Sequence, residues 1–187
     1  MEHKASTWTL SPHPLQTIRL LDGIEVDAVP GEFGQCRFRF RAHGDITRLR
    51  VPAPRQQSRA PGLWKHTCFE VFLKPPGGGY YELNFSPSSQ WAAYHFNGYR
   101  QGIAELALAV PPLVDCVSAA DRLIVDVTID LSGVVKTGVQ AWPRMGLAAV
   151  IESDDGEISY WALAHPTSKP DFHHPDSFVG ALADNVA

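Results

Sequence analysis

The sequence predicts an all-β fold, an antiparallel β-sandwich of jelly-roll or immunoglobulin-like type. Three observations predict it. Apolar residues recur with period two over most of the chain, the signature of half-buried strands. No stretch of a dozen residues shows 3.6-residue periodicity with caps at its ends. Turn residues punctuate the chain at short intervals, with 15 Gly and 15 Pro among 187 residues. Strands so spaced, without crossover helices, pack as antiparallel layers rather than as βαβ units.

Taken in order, "QCRFRFRAHG" alternates Cys36, Phe38 and Phe40 with Arg37, Arg39 and Arg41, so the arginines face water or a ligand. The Pro-containing "VPAPRQQSRAPG" reads as a surface loop. In "HTCFEVFLK", Thr67, Phe69, Val71 and Leu73 share one face, and His66, Cys68, Glu70 and Phe72 the other. "PPGGG" forces a turn, and "YYELNFSP" repeats the pattern: Tyr81, Leu83 and Phe85 are opposed to Tyr80, Glu82, Asn84 and Ser86. Asn97-Gly98 and Asp155-Gly156 each predict a two-residue hairpin turn between flanking strands. "RLIVDVTIDL" alternates cleanly, and "SFVGAL" is the last predicted strand.

Composition bounds the rest. At 44% hydrophobic and 19% charged, the chain belongs with folded globular proteins, and its length suits one domain spanning 1–187. The formal net charge is -4 and the Lys and Arg residues are scattered, which argues against a nucleic-acid partner. The first twenty residues contain no apolar signal-peptide core, and no run approaches the ~20 residues a membrane helix needs, so no membrane partner and a cytoplasmic location are expected. Cys36, Cys68 and Cys116 lack CxxC spacing and read as free thiols inside strands.

The chemistry lies on the second face of the predicted strands. Trp64, Glu70, Glu82, Asn84 and Trp91, with Trp161 and His165 later, combine flat aromatics with hydrogen-bonding groups. A pyranose ring packs its C–H face on an indole and offers a rim of hydroxyls, for which carboxylates and amides are the natural partners. These seven residues are therefore the candidate ligand-binding set, with a saccharide as the expected ligand, no catalytic residue, no cofactor and no metal.

From Leu63 to Asn97, and again over "SYWALAHPTSKPDFHHPDSFVGAL", the chain resembles the DOMON-like superfamily, in the branch similar to family 9 carbohydrate-binding modules. Three features carry the resemblance: Trp64 six residues before Glu70; the "YYELNFSP" strand with Asn84, followed by Trp91; and a C-terminal Phe-His-x-Pro-x-x-Phe motif at Phe172, His173, Pro175 and Phe178. It covers most of the chain from about Arg37 onward. It implies a jelly-roll sandwich with a ligand groove on one exposed sheet face. There two aromatics clamp a terminal sugar while an acid, an amide and an arginine bind its hydroxyls. Trp64, Glu70 and Asn84 match that pattern. The arginine does not, since Trp91 or Ala93 stands near its expected place, and Trp161 is the first choice for the second aromatic, Phe172 the fallback.

Other readings compete. Some DOMON domains bind haem through Met and His; here only Met1 and Met145 exist, so haem would need two of His66, His95, His165, His173 and His174. "DFHHPD" invites zinc or nickel, but neighbouring histidines on an extended chain point to opposite sides, so His173 is expected to order its loop by a hydrogen bond. Glu70 and Glu82 on one face could serve glycoside hydrolysis as paired carboxylates, though sugar-binding modules use same-face acids without chemistry. A face receiving another protein chain is the third class.

Overall fold

The computed structural model describes residues 5–16, 20–134 and 143–181. Among these, thirteen strands occur with only short 3-10 turns between them: β1 (Ser6–Pro12), β2 (Leu21–Pro30), β3 (Gln35–Gly44), β4 (Ser58–Arg59), β5 (Cys68–Lys74), β6 (Tyr80–Phe85), β7 (Gln90–Phe96), β8 (Ala104–Glu105), β9 (Leu113–Ser118), β10 (Arg122–Asp130), β11 (Arg144–Glu152), β12 (Ile158–Ala162) and β13 (Gly180–Ala181). The all-β class expected from the sequence is therefore present.

The strands form one curled, mixed sheet, a half-barrel, in the order β4-β7-β6-β5-β11-β12-β1-β2-β3-β10-β9, with β8 on β7 and β13 on β11. Continuity comes from β1, whose Ser6–Leu10 stretch pairs with β2 while Ser11 and Pro12 pair with Ala162 and Trp161 of β12. This differs from two separate sheets: the chain bends within β1 instead of breaking the ladder. The β4–β7 pair is parallel and makes the sheet mixed.

Curling brings the two halves face to face, and the Phe40 and Phe69 rings meet at 5.1 Å across the core. One half contributes Ile24, Val26 and Ala28 from β2, Phe38 and Phe40 from β3, and Val125 and Val127 from β10, all fully buried. Its other face carries the predicted arginines, and they meet acids from neighbouring strands. Arg37 and Arg39 reach Asp126 at 2.9 and 2.8 Å, and Arg41 pairs with Asp27 and Glu25. The opposite half buries Phe69, Val71 and Leu73 of β5 and Leu83 and Phe85 of β6 against them.

Two turns depart from the expectation. Residues 97–103 form a longer loop between β7 and β8, in which Asn97 N–H bonds Gln101 O, and the positive φ values fall at Arg100 and Gly102 rather than at Asn97-Gly98. Residues 153–157 likewise join β11 to β12 with positive φ at Gly156 alone, stabilised by Ser153 N–H to Glu157 O. In both, side-chain and backbone bonds of the longer loop replace the tight mirror-image turn. The three cysteines are free thiols in β3, β5 and β9; burial pushes Cys36 up to about 12 and Cys116 to about 11.

Candidate functional site

Strand β5 is buried on both faces. The inner face meets the core; the outer one, with its neighbours on β6, β7, β11 and β12, floors a cavity of about 400 Å³. Parity and register decide what lies there. Glu70 stands opposite Asn84 of β6 and Ala148 of β11, Asn84 opposite Ala92 of β7, and Glu82 opposite Tyr94. Alanines at 92, 148 and 162 keep the floor low beside these polar groups, and larger residues rise around it.

Trp64 stands on a 3-10 turn, Leu63–Lys65, which Gly62 opens with φ 73°. Its ring meets Tyr94 edge-on at 5.9 Å and keeps 39% exposure at the rim. Opposite, Phe172 packs on Tyr160 at 6.1 Å, and Phe96 stacks on Tyr80 at 4.6 Å. The C-terminal segment supplies the cover. His173 lies 2.8 Å from the Tyr80 hydroxyl through Nδ1 and 3.8 Å from Glu82 through Nε2. Asp171 ties that segment to the 97–103 loop by accepting from Tyr99 Oη at 2.6 Å and from Arg100 at 2.8 Å.

The electrostatics follow from burial. Burial, followed by the charge of Glu82, pushes the Glu70 carboxyl well above the usual range. Burial raises Glu82 too, while the bond donated by Asn84 Nδ2 at 2.7 Å and the Arg100 charge act against that rise. His173 is lowered to about 4, chiefly by burial and then by Arg100, so it stands neutral at pH 7. Burial works to raise Asp171, but its bonds from Tyr99 and Arg100 outweigh it and hold the group below its ordinary value.

Of the seven candidate residues, Trp64, Glu70 and Glu82 line this cavity, and Asn84 is bonded to Glu82 on its floor. Trp91 and Trp161 are corrections. Both lie on the core face, 6% and 4% exposed, because each is one residue out of phase with the floor: Tyr94 and Tyr160 are the ones that face it. Trp91 carries the Arg59 guanidinium 4.4 Å over its ring, and Trp161 donates from Nε1 to Ser159 Oγ at 3.2 Å. His165 is elsewhere, bonded through Nε2 to Ser11 O at 2.8 Å and edge-on to His13. The face is also not bare as expected: Pro170, Phe172 and His173 of the C-terminal segment line part of the cavity over it.

Tyr94, Phe96, Tyr160 and Arg100 were not among the candidates. Counting alternate residues from Glu82 across the register finds the first two, and Tyr160 is Trp161 corrected by one. Arg100 lines the cavity from a loop, with φ 52° and its partner Asp171 71 residues away, which no local pattern reveals. Phe172, the fallback aromatic, lines the cavity.

Among the described residues no three His, Cys, Asp or Glu side chains gather as a metal site. His173 and His174 turn to different partners, Tyr80 and the Asp176 backbone N–H. Of the five histidines considered for haem, His173 alone lines the cavity; His66 bonds Glu152 at 2.7 Å, His95 lies against Tyr81 at 5.2 Å, His165 bonds Ser11 O, and His174 accepts from the Asp176 backbone N–H.

Among known proteins, no family model matches the chain, and no curated protein does. Among solved structures it is similar to the crystal structure of a protein from Bacteroides uniformis described as a "putative carbohydrate-binding protein". The TM-score is 0.65 at 12% sequence identity, over 94% of this chain and 84% of the other. At that identity the likeness is one of fold.

Proposed function

We propose that this chain is one non-catalytic domain that holds a saccharide in the cavity on the outer face of β5, β6, β7, β11 and β12. In this reading it is a DOMON-like sandwich of the kind resembling family 9 carbohydrate-binding modules, and it works in the cytoplasm. The carrying observation is the cavity's make-up: Trp64, Tyr94, Phe96, Tyr160 and Phe172 as walls around a floor bearing Glu70 and Glu82, with Arg100 at the side. Its volume of about 400 Å³ lies in the range of small-molecule sites. Flat walls suit a sugar's C–H faces, and the polar groups suit its hydroxyls. The likeness in fold to a protein described as carbohydrate-binding supports the same reading.

Glu70 and Glu82 act as binding groups here. Burial raises both carboxyls, while the Asn84 bond and the Arg100 charge act against the rise at Glu82. Calorimetric titration of a panel of mono- and oligosaccharides tests the proposal, with size-exclusion mass measured in parallel. Binding of at least one sugar, abolished or weakened tenfold or more by Phe172→Ala in a folded protein, is expected. No heat with any sugar, together with a mass that shows association with a protein partner, would favour an interaction module.

A further inference from the structure

Two side-chain oxygens on the cavity floor are buried without a hydrogen-bond partner: Oε1 of Glu70 and Oδ1 of Asn84. They belong to residues directly opposite one another on antiparallel strands. Such pairs hold their Cβ atoms about 4.5–5.5 Å apart on one face. Two unpaired acceptors that close would leave two desolvated lone-pair groups facing each other, a costly arrangement. One hydrogen removes both defects.

The far side of the amide is already fixed. Asn84 Nδ2 donates to Glu82 Oε1 at 2.7 Å, which turns Oδ1 away from Glu82 and sets the amide's orientation. We propose that Glu70, Asn84 and Glu82 work as one acid–amide–acid unit: Glu70 donates to Asn84 Oδ1, the amide donates on to Glu82, and Glu82 alone presents a negative charge to the cavity. The consequence, resting on the saccharide reading above, is a ligand class. The site takes neutral, hydroxyl-rich sugars, whose hydroxyls donate to Glu82, and turns away uronic acids, whose carboxylates meet it as like charges.

The surroundings agree. The titratable groups around the unit are Cys68 from β5, Tyr80 from β6, Tyr94 from β7, Tyr160 from β12, and His173 and Arg100 from the covering segments, while β11 brings Ala148 and Val150. Arg100 is paired with Asp171 at 2.8 Å. His173 is neutral at pH 7. Burial and the Glu82 charge both favour the proton on Glu70, whereas Glu82 receives the Asn84 bond and the Arg100 field that favour its ionised form.

Infrared spectroscopy of the ligand-free protein at pH 7 tests the unit. A carbonyl band of a protonated, hydrogen-bonded carboxylic acid is expected in the wild type, absent in Glu70→Gln and retained in Glu82→Gln. A wild-type spectrum without the band, or a band lost in Glu82→Gln, overturns the assignment. Either variant alone decides if the other fails to fold. The ligand class is tested by titrating glucose against glucuronic acid and galactose against galacturonic acid. A neutral sugar binding at least tenfold tighter than its uronate supports it, and equal or tighter uronate binding overturns it. If neither member of any pair binds, the saccharide reading fails while the infrared result still stands or falls alone.

Discussion

Replacing Trp91 and Trp64 by alanine separates the two faces of the sheet. Trp91 is 6% exposed in the core, its indole N–H has no partner, and its ring lies under the Arg59 guanidinium at 4.4 Å. Its contribution is therefore packing, and truncating a core Trp to Ala costs about 3–5 kcal/mol. Each kcal/mol moves the melting midpoint about 2–4 °C in a chain of this size, so Trp91→Ala should melt about 6–20 °C lower. Arg59, which also donates to Ala93 O and Leu106 O at 3.1 and 2.6 Å, loses its platform and adds to the loss. Trp64 sits at the cavity rim, 39% exposed, and its removal should cost about 1 kcal/mol of stability or less. The same change should weaken sugar binding by about 1–3 kcal/mol through lost aromatic contact. Thermal melts and urea titrations with unchanged slope give the stabilities, and calorimetry gives the affinities. Equal destabilisation by the two changes, or a larger one for Trp64→Ala, would refute the assignment of faces.

Stability should respond to pH through two buried groups of opposite sign. His173 falls to about 4 in the folded state, so its contribution is present above its unfolded value near 6.5 and is lost as pH drops from there through 4; His173→Asn should remove that slope, worth at most about 3 kcal/mol. Glu70 is raised, so its contribution is present below the unfolded value and lost as pH rises; Glu70→Gln should therefore gain on the wild type as pH climbs above about 4.5, in denaturant titrations across pH. Gly79 has φ 70°, and a Cβ there would stand 2.6 Å from Phe96 O, so Gly79→Ala should cost at least about 1–2 kcal/mol in the same assay. Asp171→Asn weakens the tie between the C-terminal segment and the 97–103 loop; amide exchange at 171–174 should quicken by about tenfold or more, equivalent to about 1.4 kcal/mol of lost protection.

The alternation in β3, β5, β6 and β10 was legible because one face of each strand is purely apolar. Glu70, Glu82 and Asn84 were legible for the same reason, as polar residues in a fixed phase. Trp91 and Trp161 were misplaced because their chemistry, not their phase, drew attention: an indole fits a core and a sugar platform equally well, and only register separates them. The ladder continuity through β1 was not readable, since pairing one strand with two partners depends on contacts more than 100 residues away in sequence. "LDGIEVDAVP" alternates Ile24, Val26 and Ala28 with Glu25 and Asp27, so β2 carries the same signal. The roof over the cavity rests on Asp171 with Tyr99 and Arg100, a nonlocal contact between two irregular loops, where periodicity offers no guide.

The most direct measurement is a crystal structure of the protein soaked with the tightest sugar found by calorimetry. One ring is expected between Trp64 and Phe172, with hydroxyls on Glu82. A sugar resting anywhere else, for instance on the arginine-bearing face of β3 or in the hollow beside Arg55 and Lys65, would contradict it.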